Sequence, residues 1–333
     1  MKTDRPIGTD HTPKQDHLKP VTLVATLLLT AMPAITAVAE GTNAPPPQPT
    51  LEAKAEKGDP LPLHNIEGNG GIFSTLSAYI VNPPRDGEPV GRPSAGFSYV
   101  NLGHQENLEA FTVTESPLKR LELGFGYELF GLGDLPTAIA LGGGPAINDS
   151  VSLYNANARL QLLKEGEFNQ KWIPALTAGV HYKNNDGINQ INGQLGGALK
   201  GIGIVDNEGV DVTLYASKML TFLPRPVLVE LGGRATKGVW TGLAGFTENY
   251  SYLFEGNVVV FVTDNLALAA EYRQQPTDYT PIPLIKASGD WWTIDAAYVV
   301  NKHLTLAAVY GHFGGVLNHN ANGVWGITTK YEF

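Results

Sequence analysis

The sequence contains no cysteine, so disulfide frameworks, thiolate metal sites and cysteine nucleophiles are all excluded. Charge is also scarce, at 17% of residues against the usual quarter, and apolar residues do not make up the difference. What charge there is leans acidic, 23 basic against 32 acidic side chains for a net of −9, so the basic footprint of a nucleic-acid binder is missing. No stretch reaches the ~18 consecutive apolar residues that suggest a membrane-crossing helix. The 38 glycines, 13 tyrosines and many Asn and Thr favour extended, tightly turning backbone over long helices.

The amino terminus has the three parts of a secretory signal peptide. Lys2, Arg5, Lys14 and Lys19 precede an apolar run from Val21 to Met32, and small residues end at Ala37-Val38-Ala39. That run is too short to span a bilayer, so residues 1–39 are read as a removed signal peptide and 40–63 as a flexible periplasmic leader rich in Ala, Pro, Glu and Lys.

From 64 to 333 the pattern has a period of two. Leu121, Leu123, Phe125, Tyr127 and Leu129 share one face, with Glu122, Gly124, Gly126 and Glu128 on the other. Residues 154–162, 252–262 and 266–273 repeat this, and similar runs lie near 72–81, 94–101, 108–115, 174–182, 211–219, 227–234, 291–300, 303–312 and 324–333. A soluble sandwich would crowd its polar faces with Lys and Glu. Here those faces are mostly Gly, Asn, Thr and Ser, as the lumen of a lipid-embedded barrel requires. The expected fold is all-β: one antiparallel transmembrane β-barrel of about 12 strands, with 72–81 either a first strand or an insert. Tyr127, Tyr154, Tyr182, Tyr252, Tyr272, Trp291, Trp292, Tyr331 and Phe333 sit near strand ends and suit interfacial girdles. Trp325, Ile327, Tyr331 and the last residue, Phe333, share one face of the final run and read as an assembly signal.

Several blocks resemble an uncharacterised proteobacterial outer-membrane β-barrel family labelled as a domain of unknown function. They are Ile66-Glu67-Gly68 with Gly70-Gly71, Ala78 to Pro83, Ser98 to Gly103, Leu108 to Phe111, Gly131 to Pro136, Ala216 to Met219, Phe254 to Asn257, Gly311 to Gly314 and Leu317 to His319. A shorter likeness, at Leu162 to Gly166 and Pro174 to Leu176, is to exopolysaccharide-associated outer-membrane barrels. The resemblance implies a fold and the bacterial outer membrane, with outer-membrane lipid and the barrel-assembly machinery as partners. It implies no activity.

Chemical motifs are sparse. Gly142-Gly143-Gly144-Pro145 lacks the Lys and Ser/Thr of a phosphate loop, and neither His-Glu-x-x-His nor Gly-x-Ser-x-Gly occurs. His312 and His319 have no acid within 303–323 to complete a metal shell, and His181 beside Thr177 lacks an identifiable third member. No cofactor, metal or catalytic residue is expected, and the chain is read as not an enzyme. Alternation instead assigns Glu122, Glu128, Arg159, His181, Glu230, Arg234, Glu255, Glu271, Arg273 and Asp295 to the lumen. Six acids face three arginines there, and the surplus should need water or a mobile cation. The expected function is a narrow, wet pore or binding barrel for a small solute. The alternatives are a barrel assisting exopolysaccharide secretion and a structural or lipid-modifying one.

Overall fold

The computed structural model describes residues 64–333; the signal peptide and leader readings lie outside the described residues. Twelve long strands close into one antiparallel barrel: β1 (Ser94–Gly103), β2 (Glu106–Leu118), β3 (Leu121–Leu132), β4 (Ser150–Leu163), β5 (Ala175–Asp186), β7 (Glu208–Leu220), β8 (Val227–Gly238), β9 (Phe246–Phe261), β10 (Leu266–Arg273), β11 (Ser288–Val299), β12 (Leu304–Val316) and β14 (Val324–Glu332). Two short strands, β6 (Ile204–Asp206) and β13 (His319–Ala321), extend β9 and β12. Each long strand pairs with its chain neighbour. The ring closes where β14 pairs with both β12 and β1, running from Ser94↔Glu332 to Asn101↔Trp325. Among the twelve long strands no ladder is left open on either side, the condition for strands to survive in hydrocarbon. Among the described residues no helix is long and apolar enough to cross a membrane.

The two ends differ. At the end holding Ser94 and Phe333 the connections are short, apart from 164–174. At the other end they are longer, apart from the 104–105 turn, and carry α1 (Leu135–Leu141), α2 (Ile188–Gln194) and α3 (Ala198–Gly201). We call these the terminus end and the loop end.

Alternation sends Phe111, Val113, Leu123, Phe125, Leu160, Val180, Leu214, Leu231, Ile294 and Ile327 outward, where they stay largely exposed. An apolar belt of this extent is suited to lipid rather than water. Phe97, Phe111, Tyr127 and Tyr154 form a row across β1 to β4, with ring centroids 4.9, 6.5 and 5.2 Å apart. Trp291 departs from the expected girdle. In register with Arg273, it points inward, is 3% exposed, and stacks on Phe313 at 4.3 Å.

The belt supports a depth-dependent prediction. Val180, central in β5, should cost roughly 2–4 kcal/mol when replaced by Arg, whereas Leu123→Arg, only three residues into β3 from the terminus end, should cost about 0–1 kcal/mol. Urea unfolding in vesicles measures both.

The run at 72–81 is neither a first strand nor regular. Barrel strands begin at Ser94, and 64–81 forms an irregular, buried segment inside the ring, where Gly71↔Leu76 is an isolated bridge. Twelve strands already satisfy one another, and this segment's polar groups are met by wall side chains instead. Glycine makes room for it: a Cβ on Gly124 would overlap the Gly68 carbonyl, and Gly68 itself has φ +79°. Gly124→Arg should therefore expel or distort the segment while leaving the outer belt unchanged, which limited proteolysis between 64 and 93 would detect.

Candidate functional site

Parity alone brings the lumen residues together. Glu122, Glu128, Arg159, His181, Glu230, Arg234, Glu255, Glu271, Arg273 and Asp295 all point inward, and none is more than 4% exposed. They do not line an open channel. The 64–81 segment, hereafter the plug, lies between them.

The central cluster is built on Arg234 of β8. Its Nη2 lies 2.7 Å from Glu67 Oε2 of the plug, its Nη1 2.9 Å from Asp211 Oδ2 of β7, and its Nε 2.8 Å from Glu255 Oε1 of β9. Lys183 of β5 adds contacts of 2.5 Å to Glu67 Oε1 and 2.8 Å to Asp211 Oδ2. Arg273 approaches Glu255 at 3.2 Å and donates to the Ser74 carbonyl at 2.9 Å. Charges this deeply buried are tolerated because each is paired.

Two of the expected surplus acids, Glu271 and Glu122, are met by plug backbone. Glu271 accepts from the amides of Phe73 (3.2 Å), Ser74 (3.0 Å) and Thr75 (2.7 Å), from the Thr75 hydroxyl at 2.6 Å and from Thr293 at 2.9 Å. Glu122 accepts from Gly70 N (3.0 Å) and Val81 N (2.8 Å), and also pairs with Arg159 at 3.0 Å. Arg159 in turn donates to the Gly70 carbonyl at 2.7 Å and to that of Ser77. Glu230 takes the hydroxyls of Ser77 and Ser217. The open lumen expected from charge counting is thus corrected: the plug occupies it and its amides meet Glu122 and Glu271, whereas neither carboxylate oxygen of Glu128 has a hydrogen-bond partner among the described residues. A cavity of about 40 Å³ beside the plug, lined by His64, Phe73, Asp295, Thr305 and Lys330 among others, has the volume of only a few water molecules.

His181 finds its partner across the sheet, at Thr213 (3.2 Å), whereas Thr177 donates to the Ala78 carbonyl of the plug. Sequence reasoning missed Glu67, Lys183 and Asp211. The last two share parity with His181 and Thr213, so one more step of alternation reaches Lys183. Glu67, on irregular backbone, has no periodic signal.

Towards the loop end the inward residues turn apolar: Leu102, Leu108, Phe130, Leu132, Val151 and Leu153 pack against the inward-folded 239–245 connection and against Ile66 and Phe73 of the plug. Lys183 Nζ also donates to the Thr241 carbonyl at 2.9 Å, so one ammonium ties the plug to this connection. Trp240 and Thr241 hold positive φ, 47° and 65°, a strained geometry maintained by the surrounding packing.

At the loop rim, His319 stacks on His104 at 4.2 Å rather than meeting His312. Asp134 accepts from Asn318 at 3.0 Å and sits 3.1 Å from His104 Nδ1; these contacts hold its carboxyl below the usual range despite a burial penalty. Burial, helped by the charge of His104, pushes the His319 imidazole below its ordinary 6.5. The unfolded chain therefore binds the proton more readily, and stability from this contact is lost as pH falls through about 6.5. Protection factors for hydrogen exchange at 316–324, taken against the slower intrinsic exchange in acid, should fall between pH 7 and pH 5. Among the described residues no group of three or more His, Asp or Glu is arranged to hold a metal.

Residues 63–328 match the family described as "Protein of unknown function (DUF3034)". The chain belongs to that family. No curated protein matches it. Among solved structures, the DUF3034 barrel is similar to a KdgM porin at 9% identity and a TM-score of 0.45, covering 72% of this chain and 99% of the porin. It is similar to the outer membrane protein Omp33 of Acinetobacter baumannii at 9% identity and a TM-score of 0.41, covering 74% and 99%. An outer membrane channel from Pseudomonas putida F1 matches at 14% identity and a TM-score of 0.40, covering 74% and 96%.

Proposed function

We propose that the protein is a barrel of the bacterial outer membrane that passes a small solute and is closed at rest by the plug, without catalysing a reaction. The observation that carries this reading is how the plug is held. Alongside apolar packing, its polar groups are met by ion pairs and hydrogen bonds to wall side chains, Glu271 and Glu122 above all. An apolar plug would leave behind a wall that resists water. A polar one leaves Glu122, Asp211, Glu230, Glu255 and Glu271 beside Arg159, Lys183, Arg234 and Arg273, groups that hydrate readily. Both ends of the plug reach the terminus end: His64 meets Thr114, and the Val81 carbonyl accepts from the Ser116 hydroxyl. Withdrawal towards that side, the periplasmic one in this reading, needs no threading. With acids in excess on the exposed wall, small cations or neutral polyols are the favoured solutes.

A reversible lock tests this. Ser77 of the plug and Ser217 of β7 both bond to Glu230 Oε1, and the chain has no cysteine of its own. With Ser77→Cys and Ser217→Cys combined, voltage-driven openings in a planar bilayer should vanish on oxidation and return on reduction. Equal conductance in both states, or silence in both, would count against gating by the plug.

A further inference from the structure

Three connections meet at one corner of the terminus end: 119–120 between β2 and β3, 164–174 between β4 and β5, and 221–226 between β7 and β8. The first two are tied by Arg120 to Glu167 at 2.5 Å, and Lys218, near the end of β7 that leads into the third, reaches Glu165 at 2.8 Å and the Ile173 carbonyl. Three large rings stand out from this corner: Phe168 is 72% exposed, Trp172 74% and Phe222 78%. Phe168 also holds a left-handed backbone with φ 59°, an unfavourable geometry for a bulky residue that gains nothing from burial within the chain. Beside the rings, Lys164, Lys171 and Arg225 are exposed, while the local acids Glu165, Glu167 and Asp86 are taken up by Lys218, Arg120 and Lys119. The corner is thus basic on a chain of net charge −9. The loop end carries the opposite sign, with Asp149, Asp186, Asp206, Glu208, Glu248 and Asp278 exposed.

We infer that this corner is a docking surface for anionic phospholipid headgroups of the leaflet at the terminus end. Two observations favour lipid over a protein partner. The patch continues directly from the lipid-facing belt, through Leu160 and Leu162 on β4 and Leu214 on β7, all exposed. It also combines rings at headgroup depth with ammonium and guanidinium groups, the pairing that an anionic bilayer surface attracts. The rings enter the acyl boundary, and Lys171 and Arg225 meet phosphate.

The test uses the folded, full-length barrel in vesicles of phosphatidylcholine with and without phosphatidylglycerol. The fluorescence of Trp172 is read as the difference between the native protein and Trp172→Phe. It should be blue-shifted and quenched by phospholipids brominated near the headgroup, more strongly by brominated phosphatidylglycerol than by brominated phosphatidylcholine at equal mole fraction. In Lys171→Glu with Arg225→Glu that preference should weaken about fivefold per basic residue removed. Heat-modifiable migration of each variant checks that the barrel is folded. A Trp172 emission typical of water in both lipids, or quenching indifferent to headgroup charge and to the two reversals, would overturn the assignment.

Discussion

Arg234→Met is expected to destabilise the barrel by about 3–5 kcal/mol and to release the plug, because it removes the one cation shared by three buried carboxylates and leaves them to Lys183 and Arg273. Glu67, Asp211 and Glu255 each lie within 3 Å of the Arg234 guanidinium and are wholly buried. Lys183 reaches the first two, and Arg273 only approaches Glu255. Without the guanidinium, the carboxylates must take up protons or draw water inward, and the plug end at Glu67 separates first. Arg234→Lys should recover only part of the loss, since one ammonium cannot present the three directed donors of the fork. Urea unfolding in vesicles measures the stability. Protease cleavage between 64 and 93 reports the plug separately. An Arg234→Met barrel with a native midpoint and a protected plug would show that the cluster is not what holds the interior.

The second large effect concerns closure. Deleting residues 331–333 removes Tyr331↔Ala95 and Glu332↔Ser94 on one side and Leu304↔Tyr331 on the other, together with the bond from Phe333 N to the Pro93 carbonyl. Each backbone group left unpaired in hydrocarbon costs several kcal/mol, so synthesis should continue while the folded barrel fails to accumulate. Replacing Tyr331 and Phe333 with Ser keeps the ladder but removes outward aromatic surface, and should slow assembly less severely. Heat-modifiable migration in membrane fractions separates these outcomes; normal migration of the truncated chain would contradict the role given to β14.

The strands were legible because lipid and lumen impose opposite demands on alternate residues. The run Leu121 to Leu129 therefore shows both faces, and Glu122 and Glu128 could be placed inside from the sequence alone. The same rule could not choose for 72–81 between a first strand and the insert that it is. There Leu76 and Ala78 are spaced like a strand, yet they are buried by packing within the lumen, against Ala175 and Tyr215, rather than by pairing. It also fails where loops fold inward: Phe130 and Leu132 are apolar on the lumen side because the 239–245 connection covers them. Counting charges along strands could not anticipate that amides of an irregular segment would satisfy Glu271. That neutralisation depends on the path of the backbone, which periodicity does not encode, and it turns an expected wet pore into a filled interior.

The most direct measurement is a planar-bilayer recording of the full-length barrel beside one lacking 64–81, each first shown to be folded by heat-modifiable migration. The full-length protein should stay closed at low voltage, and the shortened one should conduct steadily with a weak cation preference that fades as salt screens the wall over ~10 Å at 0.1 M. Steady conductance of the full-length protein, or silence of a folded barrel without its plug, would contradict closure by residues 64–81.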